Sequence, residues 1–157
     1  MLIIIMKGDD IIMDENIELL QYIYQNCDMG VKSCTSLINI LNGKDNKIKK
    51  IVEGELKGYE NYLKKAEKLL KKHKIEPKEK GIMADVMSKM GMSMEMMKDN
   101  SDARVADMLT KGFTMGNVDI SKKIDRFEGD ADKEILALAK ELLKFGKENI
   151  DFLKPYL

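Results

Sequence analysis

From residue 14 almost to the end of the chain, apolar positions recur every three or four residues, the spacing of one face of a helix. No strand-like alternation appears beyond the first dozen residues. Asp14 is placed to cap a first helix reaching about Asn42, with Gly43 as its left-handed stop. Its stripe is Ile17, Leu20, Tyr24, Cys27, Val31, Cys34, Ile38 and Leu41, the seam of a helix bundle. Asp45 is placed to cap a second helix ending near His73, with a stripe that includes Ile48, Ile51, Val52, Tyr59, Tyr62, Ala66, Leu69 and Leu70. Lys71, Lys72 and His73 fall in its last turn, where cations suit the helix dipole. Pro77 suits the first turn of a third helix over about 78–98. The DNS run at 99–101 breaks the pattern, and Ser101 caps a fourth helix reaching about Glu128. Gly129 ends it, Asp130 or Asp132 opens a fifth, and Pro155 stops that one.

Four of these helices are long and the third is the shortest. In a four-helix bundle a long crossover can join the second and third members. The helix over 78–98 is therefore expected to be that crossover, carrying the chain back so that its two flanking helices run parallel. The chain has 157 residues, no low-complexity linker and no strong repeat, so one helical domain is expected over 14–157. Residues 1–13, MLIIIMKGDDIIM, read as an N-terminal arm: an edge strand, a packed arm or a frayed tail, or an over-long start with Met6 or Met13 as the true beginning. The apolar run is too short for a membrane helix and lacks the features of a signal peptide, so a cytoplasmic location is expected.

The third helix contains MADVMSKMGMSMEMM at 83–97, with seven methionines. At 100° per residue, Met83, Met87, Met90, Met94 and Met97 share one line, whereas Met92 and Met96 lie nearly opposite. Three readings are open. Methionine can fill a core as an adaptable side chain. Met92 and Met96 can form part of a partner surface. Paired thioethers can also hold Cu(I), although neither His nor Cys occurs in the stretch.

Charge removes one class of function. Lys plus Arg and Asp plus Glu are 27 each, and only Arg104 and Arg126 are arginines, so neither a basic excess nor a set of bidentate phosphate grips marks a nucleic-acid binder. Cys27 and Cys34 are too far apart on one helix for a disulfide and should be free thiols in the core. Gly54 with Gly58 and Gly112 with Gly116 are i,i+4 pairs inside helices. Each glycine costs about 1 kcal/mol relative to Ala there, so close approach of another helix, or of a ligand, is expected.

Two segments, ENIELLQYIYQNCDMGVKS at 15–33 and KGFTMGNVDISKKI at 111–124, together with the long helices and the Met/Ile core, resemble the ferritin-like superfamily of four-helix bundles. The resemblance covers about residues 14–154. It implies an all-α, ferritin-like four-helix bundle with an additional Met-rich helix as crossover. Its di-iron members need a Glu on each of two helices and Glu-x-x-His on the other two. This chain has no Glu-x-x-His, and its one histidine, His73, falls at a helix end. A standard ferroxidase or peroxidase centre is therefore not carried over.

What remains are acidic residues near helix middles: Asp28 beside Cys27, Glu55 on the stripe one turn before Tyr59, and Asp119 between Val118 and Ile120. A buried carboxylate is costly unless paired, hydrogen-bonded or bound to metal. Each of the three either leans to solvent or pairs with a Lys or Tyr, or else they form a non-standard carboxylate metal site suited to Fe or Mn. The leading expectation is a non-catalytic binding or interaction module without a cofactor, forming a homodimer through an apolar or Gly-containing face. The alternative is a metal-binding oxidoreductase or metal-storage protein using Asp28, Glu55 and Asp119.

Overall fold

The computed structural model describes residues 7–78 and 98–157, with side chains from residue 15 onward. It is all-α: α1 (Lys7–Leu41), α2 (Lys49–Lys72), α3 (Asp102–Phe127) and α4 (Lys133–Leu153) form a four-helix bundle, followed by a short 3-10 turn, Lys154–Tyr156. The Met-rich stretch, including Met92 and Met96, lies outside the described residues, as do residues 1–6 of the expected arm.

The helix directions follow from contacts at the two ends. At one end, the Asn46 side chain donates to the Asn100 carbonyl at 2.8 Å and to the Asp102 carboxylate at 3.0 Å. The starts of α2 and α3 are therefore together. At the other end, Gln21 of α1 donates to the Glu76 carbonyl just beyond α2 at 2.5 Å. The Asp132 N–H, at the start of α4, donates to the Asn16 side chain at 2.8 Å, and His73 faces the Asp132 carboxylate at 3.4 Å. Arg126, at the end of α3, meets Glu18 at 3.6 Å. So α1 and α4 run one way, and α2 and α3 run the other. Lys78, bonded to Gln21 at 2.9 Å, lies at one end, and Asn100 lies at the opposite end.

The predicted stripes supply much of the interior. Leu20, Tyr24 and Cys27 join Leu70, Ile120, Ile124, Phe127 and Leu142 in one buried cluster. Cys34 and Leu41 join Ile48, Val52, Val105, Leu109 and Leu153 in a second. Leu19, Ile23 and Leu37, which lie off the predicted stripe, are also buried, because α1 faces more than one neighbour. Both cysteines are free and buried, as expected. Ser101 caps α3 by accepting from the Arg104 N–H at 3.3 Å, and Gly43 has φ 78° just past α1.

Two expected caps are corrected. α1 begins at Lys7, before Asp14, so residues 7–13 of the expected arm continue the helix. No proline interrupts the run. α2 begins at Lys49 and is not capped by Asp45. Instead the Asp102 carboxylate, from the start of α3, accepts from the N–H groups of Lys47 and Ile48 at 3.1 and 3.4 Å.

The glycine pattern is also redrawn. A Cβ at Gly54 or Gly112 would meet nothing within 4 Å, so neither marks a close approach. Gly58 lies under the Phe145 ring, Gly30 under the Tyr59 ring, and Gly146 against the Asn117 side chain. The close approaches are thus made by rings and an amide against bare backbone.

Candidate functional site

The two core clusters meet at an aromatic layer. Tyr59 stacks on Phe113 with centroids 5.9 Å apart and meets Phe145 edge-on at 5.1 Å. Phe113 and Phe145 meet edge-on at 6.1 Å. On the α1 side the Tyr59 ring lies over Gly30, where a Cβ would come within 2.5 Å of ring carbons. All four helices are therefore in register at this level.

One turn from this layer, toward the start of α2, each helix offers a polar residue. On α2 it is Glu55, four residues before Tyr59. On α3, which runs parallel, it is Thr110, three before Phe113. On α1 and α4, which run the other way, they are Cys34, four after Gly30, and Asn149, four after Phe145. Cys34, Glu55 and Asn149 are buried, as is the Thr110 hydroxyl oxygen.

Glu55 is the anomaly in this layer. It is 0% exposed, and neither carboxylate oxygen has a hydrogen-bond partner. Burial alone pushes its pKa up from 4.5 to about 8. At neutral pH it is mostly a neutral acid. The Thr110 hydroxyl is likewise without a partner, while the Asn149 amide donates to the Phe145 carbonyl at 2.8 Å. Burial, with a smaller contribution from the Glu55 charge, pushes the Cys34 thiol far above its ordinary range. Burial raises the Tyr59 hydroxyl well above the usual phenol range, and Cys34 and Glu55 add to it. Cys27, further along α1, is pushed up to about 12 by burial and then by Asp28. These thiols are poor nucleophiles as they stand.

The other two sequence candidates lie elsewhere. Asp28 pairs with Lys32 one turn along α1 at 3.0 Å. Asp119 is exposed on α3. Among the described residues no three His, Cys, Asp or Glu side chains form a group able to hold a metal ion. The polar layer supplies one carboxylate, one thiol, one hydroxyl and one amide. Two irons need several carboxylates and imidazoles, so this donor set does not fit a di-iron group.

Thr110 and Asn149 escaped the sequence reading, although both have a signal there. Thr110 lies on the line from Ala106 to Phe113, and Asn149 on the line from Phe145 to Leu153. A cleft of about 140 Å³ lined by Ile38, Leu41, Asn42, Lys49 and Glu53 is smaller than the several hundred Å³ of ordinary small-molecule sites. No helix among the described residues is long and apolar enough to cross a membrane. Compared with known proteins, the chain matches no family, no curated protein and no solved structure.

Proposed function

We propose that this chain is a ferritin-like bundle without the di-iron ligand set, acting as a non-catalytic binding module that pairs with a second copy of itself. The helix order supports the ferritin-like part. α2 and α3 run parallel, the order that a long crossover between them would produce. One observation supports the non-catalytic part: Glu55, the unpartnered buried carboxylate, belongs to no group of three or more His, Cys, Asp or Glu side chains among the described residues.

The face proposed for pairing is the outer side of α3. Met115 and Val118 are exposed there, one turn apart, at 61% and 49%. Gly112, one turn before Met115, is open on its outer side and would let a partner approach the backbone.

Metal analysis of protein purified without chelators or a histidine tag, followed by light scattering, tests both parts. The expected result is no stoichiometric metal, and a dimer that Met115→Glu converts to monomer. Stoichiometric Fe or Mn that turns over with oxygen or peroxide would replace this reading with that of a metal-dependent oxidoreductase.

A further inference from the structure

The unpartnered groups of the polar layer have a use that packing does not explain. Glu55 faces Cys34 from α1, and Tyr59 follows one turn along its own helix. Thr110 from α3 and Asn149 from α4 do not titrate. Among the described residues no Lys, Arg or His contributes to its environment, and burial is the one cause acting on it. A carboxylate there has no countercharge, so the closed layer accepts Glu55 only with its proton on. An opened layer, reached by water, accepts it without.

We propose that the layer of Cys34, Glu55, Thr110 and Asn149 is a reversible proton-binding site, whose proton release is coupled to local opening of the bundle at that level. The ligand is a proton exchanged with water, and the acceptor is the Glu55 carboxyl oxygen. Proton loss leaves the carboxylate unpartnered inside the closed layer, whereas in the open layer water solvates both its oxygens and the Thr110 hydroxyl. The surrounding aromatic layer and the leucine and isoleucine clusters on either side carry no such group and stay closed.

The direction follows from linkage. The closed state binds the proton more tightly than the open one, so raising pH favours opening. The opening constant should rise about tenfold per pH unit above the ordinary carboxylate range and flatten once the closed state itself has lost the proton. Amide hydrogen exchange, corrected for intrinsic rates and measured on the full chain between pH 5.5 and 7.5, reads this directly. Protection over residues 31–37 and 52–58 is expected to fall about a hundredfold across that range and to stay below that of Leu19–Tyr24, which exchange only on global unfolding. Glu55→Gln, which cannot ionise and should fold at least as well, is expected to abolish the fall with pH. The proposal is overturned if protection around the layer is flat in the wild type, if it is no lower than at Leu19–Tyr24, or if Glu55→Gln retains the fall with pH.

Discussion

Glu55 is where a single residue works against the stability of its fold. Its pKa is raised from 4.5 to about 8, so the folded chain holds a proton that the unfolded chain releases. Stability is therefore full below pH 4.5 and declines as pH rises toward 8, flattening above that. Between pH 5 and 7.5 the decline should be on the order of 3 kcal/mol. Urea denaturation of wild type and Glu55→Gln at both pH values is expected to show that decline in the first and not in the second. The glycines offer a sharper contrast at the same scale. Gly30→Ala forces a Cβ into the Tyr59 ring and is expected to cost about 1–3 kcal/mol. Gly54→Ala, on an exposed stretch of α2 with nothing nearby, is expected to stabilise by about 0.5–1 kcal/mol. Matched denaturation curves decide both. The sequence flagged Glu55 because it falls on an apolar stripe. It could not show which side chains the other helices would bring opposite, so Thr110 and Asn149 went unread. The i,i+4 glycine pairs misled for the same reason: whether a ring lies over a glycine depends on the neighbouring helix.

At the scale of the element, the periodicity of the chain located the four observed helices well, and local chemistry placed some of their ends. Gly43 and Ser101 act through neighbours a few residues away, which is why they were legible. Asp102 acts across more than fifty residues, and no local rule reaches that far. One carboxylate accepts from the Lys47 and Ile48 N–H groups and from the Asn46 amide, and so ties down the turn that leads into α2. Asp102→Ala should therefore destabilise more than Ser101→Ala, by about 2–3 kcal/mol against about 1 kcal/mol. It should also loosen the start of a helix to which residue 102 does not belong. Denaturation gives the totals, and hydrogen exchange over 49–52 gives the location. A double-mutant cycle with Asn46→Ala should return a coupling of about 1 kcal/mol or more, since the two side chains are in direct contact.

For the whole molecule, the end-to-end contacts impose a condition that no single helix reveals. With α2 and α3 parallel, the chain must leave Lys78 at one end of the bundle and reach Asn100 at the other. α2 has 24 residues, and at about 1.5 Å per residue this is a span of roughly 36 Å. Six fully extended residues cover only about 20 Å. Replacing residues 79–97 with a six-residue link should therefore abolish this helix order, giving either a misfolded chain or a different one. A Gly/Ser link of the original nineteen residues should allow α2 and α3 to remain parallel. A pair of cysteines introduced at residues 46 and 102 provides the readout, in a background where Cys27 and Cys34 are serine. Their cross-linking reports that the two helix starts are still together, and it should occur with the long link and fail with the short one. No cross-linking in a chain that keeps its own residues 79–97 would mean that α2 and α3 are not parallel, and with that the strongest support for the proposed ferritin-like bundle would be gone. The stability lost with the long link then measures what the seven methionines of MADVMSKMGMSMEMM contribute beyond spanning the distance. A loss of several kcal/mol is what core packing by those side chains requires. A loss near zero would leave them free to meet a partner.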